Sequence, residues 1–426
     1  MIKLTPEQQS VYDGSKGETT AKILKTLMLY GEIYGADKMV DVTSKYGHTV
    51  YSYGLKTLES VLDIFEELIE GNVEFKQKFT ADPRPLDPNV PADITQQLVF
   101  THYMYSLQDR CEALLKEMGM KSDDDYTCAC YLPQNNNRPK KGEILSWAES
   151  SAVVYANSVL GARCNRNSGI MELFGSAVGW VPNFGLLTDE GRKANWIIEV
   201  KTTKKPEAQV LGSAIGMKVV EDVPYVKGLD KWLGTELTAD ACAYLKDFGA
   251  ATASNGAVGL YHIDKLTPEA VEIGESLIKP NAKVYIIDDE ELDRVKNNYP
   301  VLWTNPDAKP ELAFVGCPHL TMGQLKGYAD ILIANMKQAN KAKVAIPTVF
   351  TTSPAVLKEF KETLRARKLK EMGVVVSYIC PLMYMNNPLS KARPVITDSN
   401  KLRTYTTCRY YTTDEVLSLI SGKEVK

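Results

Sequence analysis

The sequence contains no uninterrupted apolar run of about 18 residues, the length a helix needs to cross a bilayer, so no segment reads as membrane-spanning. It has no excess of charge of either sign. Its 50 Lys and Arg against 53 Asp and Glu leave a net −3, which gives no electrostatic case for nucleic acid or an anionic membrane. The first residues, Met1-Ile-Lys-Leu-Thr-Pro-Glu, are polar and acidic where a secretory leader needs an apolar core, and the chain reads as cytoplasmic. No fixed-period repeat or low-complexity segment is present. P-loop, G-x-G-x-x-G, H-E-x-x-H and G-x-S-x-G motifs are all missing, so no short motif points to nucleotide cradling, zincin chemistry or an esterase-type nucleophile. Among eight cysteines there is no C-x-x-C clip, which argues against structural zinc, and a reducing compartment argues against disulfides.

What is present is the makeup of an ordinary globular protein, 44% apolar and 24% charged. At 426 residues it exceeds the size at which one core keeps growing, so several lobes are expected, divided near 1–142, 143–300 and 301–426. Helical periodicity marks Ala21–Ile33, Leu58–Ile69, a long Leu98–Met118, and a helix starting near Ile144. From residue 195 short β-rich runs alternate with helical patterns. The runs are Trp196–Val200, Ala257–His262, Lys283–Ile287, Leu312–Gly316, Val344–Val349 and Gly373–Ile379. Near-continuous apolar strands separated by helices predict an α/β fold with largely parallel sheets covered on both faces.

In such sheets ligands bind beyond the carboxyl ends of the strands. Cys317 and Cys380 each follow a predicted strand directly, and Cys128 follows the short extension Tyr126–Thr127. Cys317 and Cys380 are also followed by proline, which stiffens the turn that aims a thiolate. Any one cysteine reads equally as a small buried hydrophobe. Three together suit a metal cluster with one iron left open, although Cys130 competes with Cys128 for the first position. The segment Glu149-Ser150-Ser151 through Gly169 brings Asn157, Arg163, Asn165 and Arg166 beside glycines. That chemistry suits a carboxylate or phosphate, and a solvated loop is the plainer alternative. His319, two residues past Cys317, and His262, at a predicted strand end, are candidate acid–base groups, against the commoner reading of structural histidines.

The order of motifs resembles the aconitase X family over about residues 4–420. The resemblance is carried by Leu4-Thr-Pro-Glu-Gln-Gln, Val42-Thr-Ser44, Cys128, Glu149-Ser-Ser-Ala-Val-Val-Tyr-Ala-Asn-Ser-Val-Leu-Gly-Ala-Arg163, Ser254-Asn-Gly-Ala-Val-Gly-Leu-Tyr-His262, Gly316-Cys-Pro-His-Leu320, Cys380 and Thr397-Asp-Ser-Asn-Lys401. It implies an aconitase-like, multi-lobed α/β/α architecture around a metal-cluster cleft. It implies that Cys128, Cys317 and Cys380 hold an iron–sulfur cluster, [4Fe–4S] or [2Fe–2S], with a single iron as a third possibility. Substrate contacts are implied at Thr49, Val50, Tyr51, Asp82, Pro83, Ser150 and Ser151. With Glu149, Asn157, Arg163, Asn165 and Arg166 these make the expected substrate shell, and His319, His262 and Ser44 the expected catalytic side chains. The family's swivelling small domain, which carries a serine base, is expected here as a separate small subunit.

The implied reaction is loss of water from a small β-hydroxy acid. Cis-3-hydroxy-L-proline is preferred over (R)-5-phosphomevalonate, because phosphate recognition calls for more basic residues and Tyr51 puts bulk in a substrate-facing loop. The family's Ser-Ala-His-Ile-Ser-Gly loop reads Ser44-Lys-Tyr-Gly-His-Thr49 in this chain, which displaces or removes its histidine. That departure keeps a non-catalytic, cluster-binding regulatory protein as the reading from another class.

Overall fold

The computed structural model describes residues 2–50 and 55–423. Its strands fall into groups along the chain. The N-terminal part holds β1 (Met39–Asp41), β2 (Gly47–Thr49), β3 (Phe79–Ala81) and β4 (Trp180–Pro182). The middle holds β5 (Ala194–Val200), β6 (Pro224–Lys227), β7 (His262–Ile263) and β8 (Ile278–Ile287). The last part holds β9 (Leu312–Leu320), β10 (Thr348–Thr352), β11 (Val374–Ser377), β12 (Val395–Thr397) and β13 (Arg409–Tyr410). The four-stranded sheet β7-β6-β5-β8 and the five-stranded sheet β11-β10-β9-β12-β13 are parallel throughout, and β2 pairs with β3 in parallel. The α/β architecture with parallel sheets is as the alternation predicts.

Burial on both faces explains the continuous apolar strands. Every residue of β9 is buried. Ala313 and Val315 pack with Leu325, Ala329 and Leu332 of the helix Met322–Gln338. The alternate residues Leu312 and Phe314 pack with Phe79, Tyr126 and Leu402. The period of two along a strand thus sends successive side chains into two different cores. One of those cores welds the last sheet to the N-terminal part.

Several elements differ from expectation. The long helix predicted over Leu98–Met118 is broken: a π-helical segment Val99–Met104 precedes the separate helix Gln108–Glu117. At the break Tyr105 turns inward, its hydroxyl donating to the Met383 carbonyl at 2.9 Å. The helix expected from Ile144 starts at Ser150, because Ile144 and Trp147 form parallel bridges to Arg163 and His48. Only His262 of the predicted strand Ala257–His262 lies in the ladder, and β10 begins at Thr348 rather than Val344. β4 pairs with β1, so the chain through Pro182 packs with the N-terminal elements beyond the expected division at 142.

Candidate active site

A cavity of about 410 Å³ opens where the carboxyl ends of several strands and bridges meet. Val50 follows β2, and Asp82 and Pro83 follow β3. Tyr126 bridges to Ala81 and leads to Cys128; Trp147 bridges to His48 and leads to Glu149 and Ser150. Cys380 lies past β11, and Lys401 and Tyr405 sit on the helix Asn400–Tyr405 that follows β12. Parallel pairing makes all these exits point the same way, which is why residues so far apart in sequence meet.

Cys317 reaches the cavity by a different device. It lies within β9, not beyond it. Between the pairs Val315↔Phe350 and Leu320↔Thr352, β10 advances two residues and β9 five, so Gly316–His319 bulge from the ladder. Gly316 sits at φ +101°, and a Cβ there would come within 2.8 Å of the Thr351 carbonyl. Only glycine fits that turn. Asp398, beyond β12, takes the Gly316 N–H at 3.2 Å and ties the bulge to the next strand.

All three thiols line this cavity, and Cys128 and Cys380 each feel the charge of Cys317. Burial, reinforced by that mutual repulsion, pushes Cys380 up to about 12 and raises Cys128; burial also raises Cys317. Cys130 is buried against Thr80 and does not line the cavity. Lys401 is the counter-charge. It is bonded to Glu149, and its field favours the thiolates of Cys317 and Cys128. Among the described residues no three His, Cys, Asp or Glu side chains converge closely enough to hold one metal ion. A soft, all-thiol donor set spread around a buried cavity fits an iron–sulfur cluster better than a mononuclear site.

Asp82 lines the cavity, and burial followed by the charge of Glu149 holds its carboxyl well above the ordinary carboxylate range. His48 stands behind it, Nε2 3.8 Å from Asp82 and Nδ1 2.9 Å from Thr80 Oγ1, with burial lowering its pKa to about 4. Ser151 donates to Glu149 at 2.6 Å and so acts through it. Thr49 is buried in β2, its carbonyl accepting the Asp82 N–H at 3.1 Å. Tyr51 lies outside the described residues.

The remaining expected residues are spent elsewhere. His262 Nε2 sits 2.8 Å from the Arg192 carbonyl in the middle sheet, and burial lowers its pKa. Ser44 faces the Tyr46 carbonyl and holds no place in the cavity lining. Asn157 clips Cys164 N and the Gly259 carbonyl, and Asn165 clips Leu186 N and the Phe184 carbonyl. Arg163 donates to the Leu187 carbonyl and pairs with Asp189, whereas Arg166 has Nη1 buried without a hydrogen-bond partner. Replacing Arg163 by Lys should therefore leave kcat/KM within about threefold, as for a substitution away from the site. A drop of tenfold or more in steady-state assays would return Arg163 to the substrate shell. Sequence reasoning missed Lys401, Tyr405 and His48. The only signal for the first was the Thr397-Asp-Ser-Asn-Lys401 motif directly after an apolar run.

The chain matches the aconitase X first domain over residues 1–190, the second over 194–297 and the third over 310–417. It is 30% identical to the phosphomevalonate dehydratase large subunit of Thermococcus kodakarensis, over 83% of this chain and 82% of that one. It is 25% identical to the cis-3-hydroxy-L-proline dehydratase of Hypocrea jecorina, over 95% of this chain and 65% of the relative. A crystal structure of Thermococcus kodakaraensis aconitase X in its holo form superposes with a TM-score of 0.80 at 26% identity, covering 98% of this chain and 99% of the other. With three successive domains matched and both relatives dehydratases, the chain is a hydro-lyase that belongs to the aconitase X family.

Proposed function

We propose that the chain is the large subunit of a phosphomevalonate dehydratase. Cys128, Cys317 and Cys380 hold its iron–sulfur cluster, and a small subunit completes the site. The observation that carries the reading is one cavity lined by three thiols, the Lys401–Glu149 pair and Asp82, whose carboxyl is raised by burial. The greater similarity to a phosphomevalonate dehydratase, 30% against 25% identity, supports this substrate over cis-3-hydroxy-L-proline and reverses the sequence-based preference. So does cationic chemistry: Lys401 lines the cavity, and Arg166, pressed below the usual guanidinium value by burial and drawn up in part by Tyr405 and Glu149, keeps a buried Nη1 without a hydrogen-bond partner. That several relatives are themselves large subunits supports a small-subunit partner.

An iron–sulfur cluster held by Cys128, Cys317 and Cys380 would supply Lewis acidity toward the leaving hydroxyl. The chain's own residues do the rest. Lys401, buried in the cavity wall, keeps a positive charge that favours the substrate's developing negative charge. Asp82, whose carboxyl burial and the charge of Glu149 raise well above the ordinary carboxylate range, is the acid placed to give a proton to the departing hydroxide, which leaves as water. The base that takes the carbon-bound proton belongs to the small subunit in this reading, and closure over the cavity excludes bulk water.

The test is an assay of the reconstituted pair with phosphomevalonate and with cis-3-hydroxy-L-proline. Phosphomevalonate should be preferred in kcat/KM by more than about a hundredfold, since a site built to pair an anion strongly rejects a substrate lacking it. Turnover of hydroxyproline alone would refute the assignment, as would full activity of the purified single chain.

A further inference from the structure

We propose that His319 is the positioning residue that clamps the three cysteine-bearing loops at a fixed spacing, rather than an acid or base of the reaction. The inference rests on the reading of Cys128, Cys317 and Cys380 as cluster ligands.

His319 is buried, and every polar atom of it that could act is engaged. Nε2 stands 3.2 Å from the Ile379 carbonyl, an oxygen that can only accept, so Nε2 carries the ring proton. Nδ1 is then the acceptor, 2.9 Å from Thr127 Oγ1, whose hydroxyl donates to it. Thr127 Oγ1 in turn accepts the Ala129 N–H at 3.0 Å. The backbone N–H of His319 completes the set by pointing at Cys128 Sγ, 3.4 Å away.

The chain of bonds therefore runs Ala129 N–H to Thr127, Thr127 O–H to His319, and His319 N–H to Ile379. Each link adjoins a different thiol. Thr127 and Ala129 bracket Cys128, His319 is two residues past Cys317, and Ile379 directly precedes Cys380. One imidazole thus joins the exits of the Ala81–Tyr126 bridge, the β9 bulge and β11. A second tie supports the same bulge: Lys246, buried on the helix Ala239–Asn255, reaches the Pro318 carbonyl at 3.4 Å. A neutral ring with both nitrogens committed cannot also exchange a proton with substrate without releasing a loop. Partners behind metal ligands fix ligand orientation, and their loss costs about ten- to a hundredfold in metal retention.

The experiment compares His319→Ala, His319→Gln and Thr127→Val with the natural chain, each purified anaerobically. Iron per chain, the visible absorption spectrum, the rate of iron loss to a ferrous chelator and the melting temperature of the metal-free form are measured. His319→Ala should lose iron about ten- to a hundredfold faster, with an altered spectrum. His319→Gln, whose amide can donate to Ile379, should recover part of the retention. Thr127→Val keeps the side-chain shape and breaks the Nδ1 link and the Ala129 N–H bond while leaving the Ile379 link, so its effect should be in the same direction and smaller. It carries the test if His319→Ala fails to fold. Unchanged iron retention in His319→Ala and Thr127→Val, while Cys317→Ser loses its iron, overturns the clamp alone. Loss of turnover in His319→Ala with spectrum and retention untouched also overturns it, in favour of a reacting imidazole. If Cys317→Ser keeps its iron as well, the ligand reading fails first and the clamp falls with it.

Discussion

Serine in place of Cys317 removes the iron and lowers turnover by at least about a thousandfold, because Lewis-acid stabilisation of a leaving oxygen is worth several kcal/mol. Cys128→Ser and Cys380→Ser behave alike, since the three thiols share one cavity and each supplies a soft donor that a hydroxyl does not replace. Cys111→Ser and Cys242→Ser keep their iron. Cys111 belongs to the core beneath the helix Gln108–Glu117, and Cys242 donates toward the Leu237 carbonyl at 3.6 Å, both away from the cavity lining. Their cost is a stability change of about 1 kcal/mol. Because burial raises all three cavity thiols, loading must release protons, so reconstitution of the metal-free chain becomes more favourable as pH rises. Iron analysis of the five variants, purified without oxygen, checks the set. Equal retention in all five removes the ligand assignment.

That the three thiols share one cavity was legible because each follows a β-rich run, Cys317 and Cys380 with a proline next, and parallel sheets put such ends on one side. Cys317 was found for an incomplete reason, since its access depends on a five-against-two bulge that only the register with β10 reveals. The parallel α/β plan was legible from apolar runs alternating with helices. The break at Tyr105 was not, because the hydroxyl that stabilises it bonds Met383, 278 positions away. Arg163 and Arg166 look interchangeable in one short motif. Their difference is Asp189, which pairs with the first and leaves the second without a partner. Lys401 escaped notice for a similar reason: the Glu149 it bonds lies 252 residues earlier. Local periodicity and turn chemistry travel with the sequence, whereas charge pairing across lobes is created only by the assembled fold.

That pair sets the second large effect. Replacing Lys401 by Met should destabilise the metal-free chain by about 3–5 kcal/mol at neutral pH, the cost of leaving a buried charge without its partner. Burial alone would raise the Glu149 carboxyl; Lys401, aided by Ser151 and the Ala152 N–H, overcomes it and holds the carboxyl below its ordinary value. A carboxyl lowered in the folded state contributes stability above its unfolded pKa and loses it as pH falls through the folded value. The natural chain should therefore weaken toward acid on this account. In Lys401→Met the buried carboxyl has lost its cation, so its folded pKa moves above the unfolded one and the sign inverts. The variant is then closest to the natural chain at low pH, and the gap widens as pH rises through the raised value. Adding Glu149→Gln removes the orphaned charge and should restore most of the stability, since a neutral pair of similar volume can replace a buried ion pair at little cost. It should not restore turnover, because the Lys401 cation then no longer faces the thiols. Denaturant titrations of the three chains across the acid-to-neutral range separate these outcomes. A Lys401→Met variant as stable as the natural chain at neutral pH, or one whose deficit is largest in acid, would mean that Glu149 is not held ionised by Lys401.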